Sequence, residues 1–286
     1  MQPVDYRSQS DEPGRRVITL HDTLALEAIG LDVYRSRADP AFEGAGSMFG
    51  GWTAALLLSA VLKNPAASGS ASAVTVNFLK PIPFGSDLIL STQRLGNGRF
   101  ISHWRCDLTV EGGDELAATA LVVLVNRFDT EQRTEPQMPE APAPESLAVF
   151  RPPFAFYEHT DTHYVLGQEW FKQSGTRSLI WSRVASDYPL DPAQLAFLCD
   201  VNPPRAFYVI DGPRPCPTIT LSLYIYASDD ELAACGHDFI LSDTIGTRIG
   251  HSLAGAKSNL WSRDGALLAT TEQLQWIKIR DAKMGV

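Results

Sequence analysis

The sequence predicts an α+β fold made of two copies of one unit, each a helix wrapped by an antiparallel sheet. Three observations carry this: an apolar helix followed by a strand meander, a Pro/Glu-rich break near the middle, and a return of the same element order after it. The 286 residues are long for one compact core and comfortable for two units of ordinary size. Hydrophobic residues make up 44% and charged residues 20%, which is the composition of a globular chain.

In the first copy, Val17 to Leu20 and Leu31 to Tyr34 read as short strands after a polar tail, residues 1–16. The segment Met48 to Leu62 reads as a helix that is apolar nearly all round and therefore buried. Gly50-Gly51 opens it and Asn64-Pro65 stops it. Strands are expected at Ser72–Leu79, Asp87–Leu95, Arg99–Glu111 and Glu115–Val125, separated by Pro- and Gly-bearing turns.

Residues 131–156 are rich in Pro and Glu and lack periodicity, so they read as an extended linker between units at 17–130 and 157–286. In the second copy, Val165–Gln173 and Ser178–Ala185 read as strands. A helix is expected from Asp191 to Asp200, with Asp191 as N-cap and Pro192 at the first position. Strands follow at Thr218–Tyr226, Phe239–Ile249, His251–Trp261 and Leu267–Ile279, and Ser262-Arg263-Asp264-Gly265 matches the earlier turn Gly112-Gly113-Asp114. A matched order at this spacing indicates duplication, and two sheets joined edge to edge would form an intramolecular pseudo-dimer.

The net charge of -9 argues against a nucleic-acid partner, which demands clustered Lys and Arg. No run approaches the ~20 apolar residues that span a bilayer. The four cysteines are scattered, and with no apolar leader at the start the expectation is a cytoplasmic protein with reduced thiols. His159 and His163 have a spacing that could suit a metal, but no cluster accompanies them, so a surface pair is expected and no metal or other cofactor. No G-x-S-x-G elbow occurs. Cys199 reads as inert helix packing. Asp200, late in an apolar helix, stands out, because a buried carboxylate is costly to keep.

Phe49-Gly50-Gly51 at the helix start and Asn77-Phe78-Leu79-Lys80-Pro81 in the next strand resemble the double-hotdog acyl-CoA thioesterases. More narrowly, they resemble the bacterial acyl-CoA thioesterase II family. The resemblance covers roughly residues 25–280 and implies a double hotdog acting on acyl-CoA, with a homo-oligomer as an optional further pairing. It also implies a catalytic set of Asp200, Thr218 and Gln273, while Thr220 and Gln275, two residues away on their strands, stay open as replacements. Asp200 would activate water, Thr218 and Gln273 would position it, and backbone N–H groups at Gly50 and Gly51 would meet the substrate's oxyanion.

The chain departs from the family at Tyr226-Ala227-Ser228 and over residues 229–238. Two other readings use the same fold. Asp200-Val201-Asn202-Pro203 resembles the segment of hotdog enoyl-CoA hydratases, but Arg205 stands where their His would be and cannot shuttle protons near neutral pH. A non-catalytic module binding acyl-CoA or an acyl chain is the other.

Overall fold

The structure is a computed structural model that describes residues 18–185 and 188–278. The expected polar tail, Val17 and Ile279 lie outside the described residues. In chain order the elements begin with α1 (Leu20–Thr23), β1 (Glu27–Gly30), β2 (Val33–Arg37), α2 (Gly50–Lys63) and β3 (Ser70–Phe78). The first half closes with β4 (Asp87–Asn97), β5 (Ile101–Val110) and β6 (Leu116–Val125). The second half holds β7 (Thr160–Leu166), β8 (Ser178–Val184), α3 (Pro192–Leu198), α4 (Ala206–Val209), β9 (Thr218–Ile225) and α5 (Asp229–Ala234). It ends with β10 (Ile240–Gly250), β11 (Leu253–Trp261) and β12 (Leu267–Trp276).

Twelve strands form one antiparallel sheet in the order β1-β2-β4-β5-β6-β3-β9-β12-β11-β10-β8-β7. The second six repeat the first six in reverse, which is the expected duplication joined edge to edge through β3 and β9. Thr75 pairs with Ser222 at the centre of that seam, and their hydroxyls are 3.1 Å apart. A pseudo-twofold axis therefore runs through this pair and relates every strand of one half to one of the other.

α2 and α3 pack together inside the curl of the sheet. Trp52, Leu56, Leu57 and Leu58 of α2 and Leu195 and Phe197 of α3 are fully buried there. Burying large side chains on nearly every face explains why α2 shows no polar stripe. Its C-terminus is pinned by the Lys63 ammonium, which donates to the Leu26 carbonyl at 2.7 Å. Trp52 donates to the Thr23 hydroxyl at 2.9 Å, so α1 anchors the start of the helix.

Several expectations change. Leu20 belongs to a helical turn, not a strand, because Thr19 and Asp22 form a reciprocal capping box. The strand expected at Val165–Gln173 ends at Leu166, and Phe171 and Lys172 then both adopt positive φ in a loop held by carbonyls of residues 207–210. The preceding strand residues are instead Thr160–Leu166.

The Pro/Glu-rich stretch is also not a free linker. Met138, Ala141 and Leu147 cover Trp181 and Trp261 on the outer face of the second half-sheet, and Trp181 donates to the Pro142 carbonyl at 2.9 Å. Arg263 grips Glu145 through two 2.7 Å bonds. Periodicity misses such a strap because its apolar residues follow the surface they cover, not a helical or strand repeat.

His159 and His163 are not a surface pair either. His163 is buried, with Nδ1 at the Leu147 carbonyl and Nε2 at Asp161, while His159 stacks on Phe42 at 4.6 Å. No cluster of three metal-ligating side chains occurs among the described residues. No described helix is long and apolar enough to cross a membrane.

Candidate active site

α2 begins without a cap of its own: Phe49 precedes it, and no side chain from the N-cap position bonds its first turn. One orphan N–H of that turn is met from the other half of the chain. Asp200 lies in the turn just after α3, and its carboxylate accepts from the Gly51 N–H. The side chain therefore caps α2 across the pseudo-dimer, at the end where the helix dipole favours a negative charge.

Gly50 and Gly51 are required by this approach. A Cβ on Gly50 would stand 2.6 Å from Asp200 Oδ2, and one on Gly51 would stand 2.4 Å from the Phe197 carbonyl oxygen. Phe49 fills the space beside them, stacked on Phe156 at 3.8 Å and edge-on to Phe197 at 5.3 Å.

Gln273 reaches the same carboxylate from β12, donating through Nε2 to Asp200 Oδ1 at 2.9 Å. Gln275 donates in turn to Gln273 Oε1 at 3.2 Å, which fixes the way the Gln273 amide faces. Asp200 is only 8% exposed, and burial pushes its carboxyl up to about 7, outweighing the two hydrogen bonds that favour the ionised form. Beside it, Cys199 is buried with its Sγ 3.1 Å from the Ala196 carbonyl, and burial holds its thiol well above the usual range. That thiol is packing and not a nucleophile.

The open choices on β9 and β12 are separated by one irregularity in register. Gln273 pairs with Leu221 and Leu274 with Thr220, but Gln275 pairs with Thr218, so a bulge intervenes. Thr218 consequently faces the same side as Gln273 and Gln275, whereas Thr220 turns to the opposite face beside Asn77. No hydrogen bond joins the Thr218 hydroxyl to Asp200 or Gln273 among the described residues. The structure thus brings Asp200, Gln273, Gly50 and Gly51 together and sets half-buried Thr218 alongside Gln275.

The pseudo-twofold axis shows why there is one such site and not two. Applied to the seam register, it relates Gln273, Gln275 and Thr218 to Val122, Leu124 and Ala71. The first half-sheet therefore holds apolar side chains at all three positions.

Comparison with known proteins decides the family. Residues 37–125 match the acyl-CoA thioesterase N-terminal domain, and residues 131–277 match the acyl-CoA thioesterase C-terminal domain. The chain belongs to the acyl-CoA thioesterase family. The chain is accordingly an acyl-CoA thioester hydrolase.

Among solved structures, this thioesterase is similar to a conserved hot dog protein of unknown function from Alicyclobacillus acidocaldarius. The identity is 27% over 92% of this chain and 98% of that one, with a TM-score of 0.86. The tesB protein of Mycobacterium avium subs paratuberculosis shares the fold at 23% identity, covering 91% and 98% of the two chains, with a TM-score of 0.75. An acyl-CoA thioesterase II from Mycobacterium marinum shares it at 15% identity, covering 92% and 99%, with a TM-score of 0.73. No curated protein matches.

The thioesterase's Gln273 offers a direct test of the site's electrostatics. Its amide stabilises the ionised carboxylate of Asp200. A hydrogen bond to a charged group contributes roughly 1.5–3 kcal/mol. Gln273→Ala is expected to move the acidic limb of the pH–rate profile, where activity rises as the carboxyl ionises, up by about one unit and to lower the plateau tenfold or more. An unmoved limb would mean that the Gln273 amide does not tune Asp200.

Proposed function

We propose that Asp200 is the general base that activates water for attack on the thioester carbonyl of an acyl-CoA. The observation that supports this most is the Asp200–Gln273 contact at the start of α2, where burial brings the carboxyl to about 7. A base with that affinity is half ionised near neutrality and still able to return its proton. The carboxylate takes a proton from water as the water oxygen bonds to the carbonyl carbon. The tetrahedral oxyanion is met by the Gly50 N–H at the helix start, because the Gly51 N–H is already given to Asp200. Collapse breaks the C–S bond, and the carboxylic acid of Asp200 returns its proton to the departing thiolate. Gln273 and Thr218 position the water, with Gln275 holding Gln273.

The hydratase alternative requires a second base beyond Pro203, where the chain has Arg205. Arg205 is 1% exposed, and its guanidinium donates to the carbonyls of Pro203 and Thr176 and to the Ser178 hydroxyl. It clamps the loop and stays charged, so it cannot serve as the second base.

The reading is tested by following thiol release from acyl-CoA thioesters of several chain lengths at pH 8. Release is expected, with a rate that rises through about pH 7 as Asp200 ionises. No release from any of them would overturn the proposal in favour of a binding module, and hydration of an enoyl-CoA would restore the hydratase.

A further inference from the structure

The chain that joins the two halves ends in a 3-10 turn, Ala155–His159, just before β7. Two consecutive side chains of this turn, Phe156 and Tyr157, are buried. Phe156 lies flat on Phe49 at 3.8 Å, and Phe49 is the residue before Gly50 and Gly51. The Tyr157 hydroxyl donates to the Val201 carbonyl at 2.6 Å, one residue past Asp200. A single turn thus holds the residue before the helix start in the first half and the residue after the carboxylate in the second.

The turn is itself anchored on both halves. His159 stacks on Phe42 at 4.6 Å, and the Phe156 N–H meets the Glu43 carbonyl at 3.4 Å. On the other side the Ala185 N–H donates to the His159 carbonyl at 2.8 Å, and the Thr160 hydroxyl donates to the Tyr157 carbonyl at 3.3 Å.

Asp200 lies where its own backbone is weakly held. It follows the end of α3, and the N–H groups of Asp200 and Val201 reach the Phe197 and Leu198 carbonyls at 3.3 Å each. Pro203 and Pro204 come next and carry no N–H to continue the ladder. Val201 is buried, so its carbonyl needs a donor from elsewhere, and the Tyr157 phenol supplies one. Burial holds that phenol well above its usual range, and the charge on Asp200 adds to this, so it remains a neutral donor.

We infer that Tyr157 is a positioning residue for the reaction: its hydroxyl fixes the Val201 carbonyl, and with it the turn that aims the Asp200 carboxylate at Gly51 and Gln273. The inference rests on the reading of Asp200 as the base and adds a residue that acts on it through the backbone. Without the hydroxyl the Val201 carbonyl is buried and unpaired, and a water takes the place of the phenol oxygen. Water at that turn solvates the carboxylate and loosens its aim. Both the proton affinity of Asp200 and the rate then fall.

The test is Tyr157→Phe, which keeps the ring and removes the hydroxyl. For thiol release from an acyl-CoA, kcat is expected to fall about tenfold with KM within about twofold. The acidic limb of the pH–rate profile is expected to move down by about half a unit, opposite in direction to Gln273→Ala. Trp181→Phe is the control, because it also removes a donor from a backbone carbonyl, that of Pro142 on the outer face of the sheet. It should lower the melting temperature at least as much and leave kcat and the limb where they are.

Unchanged kcat and an unchanged limb in Tyr157→Phe overturn the inference, as does a limb that moves up. An equal loss of kcat in Trp181→Phe also overturns it, since lost stability would then account for both. If Tyr157→Phe does not fold, Phe156→Leu loosens the same turn and is judged by the same three readouts. Wild-type protein that releases no thiol refutes the hydrolase reading separately. The carboxyl carbon resonance of Asp200, assigned by its loss in Asp200→Asn, then decides without turnover: a titration that falls in Tyr157→Phe supports the positioning role, and an unmoved one overturns it.

Discussion

Asp200→Asn is expected to lower kcat by about three orders of magnitude while making the protein more stable at pH 8. The rate loss follows from removing the base, a change worth roughly 10²–10⁴. The stability gain follows from the direction of the pKa shift. The folded-state carboxyl titrates at about 7, above its ordinary value of 3.8, so folding favours the protonated form. The native state is therefore fully stable, as far as this group matters, below about pH 4. It loses stability as pH rises through 7 and bears the whole cost above that.

A shift of this size corresponds to roughly 4 kcal/mol at one pKa unit per 1.36 kcal/mol. Asparagine removes the buried charge but turns one N–H toward the donors that faced the carboxylate, a penalty of about 1–3 kcal/mol. The net gain of about 2 kcal/mol raises the melting temperature by about 5 °C. Melting curves of both proteins at pH 8 and pH 4 check this, because the gap should reverse at the lower pH, where wild type no longer carries the buried charge and only the asparagine penalty is left. An Asn variant melting below wild type at pH 8 would show that the carboxylate stabilises the fold and is not held there at a cost.

Gly51→Ala is expected to carry the largest structural penalty of any conservative change near the site. Helix propensity alone would favour Ala by about 1 kcal/mol. Against this, the added carbon would stand 2.4 Å from the Phe197 carbonyl oxygen and 2.6 Å from the Phe49 ring. The nearer contact is backbone, so α2 and α3 must separate at the point where Asp200 caps the helix. Overpacking of this kind costs about 3 kcal/mol, which outweighs the propensity gain.

The melting temperature should fall by about 5 °C. Thiol release should fall at least a hundredfold, since a displacement of ~1 Å at a catalytic group has that effect. Gly175→Ala is the control, as nothing lies within 4 Å of a Cβ there. Equal melting of Gly51→Ala and wild type would remove the close approach from the account of the site.

Much of the architecture was legible in the chain. The meander strands lie within three residues of their expected bounds because alternation and Gly-bearing turns report a half-buried strand directly. Asp191 and Pro192 located the start of α3 for the same local reason. The region from Gly167 to Gln173 was misread because aromatic, β-favouring residues there pack as a loop on α4, a tertiary choice that overrides propensity.

The site divides in the same way. Gly50-Gly51, Asp200 and Gln273 could be selected as residues whose types suit the chemistry and whose pattern matches a family. Gln273 and Gln275 were also legible as a polar pair two residues apart on one strand. Their continuation through the buried Ser258 and Thr244 was not, because those residues meet only across neighbouring strands.

The amino-acid sequence by itself determined that this protein would be a duplicated helix-and-sheet fold, for periodicity and turn chemistry act over a few residues. Tertiary structure alone decided that Asp200 caps the opposite half's helix, that a bulge aims Thr218 inward and Thr220 outward, and that one half keeps a polar interior. Those outcomes depend on register and burial between separate segments of the chain, where hydrogen bonding and desolvation act through space and leave no local pattern.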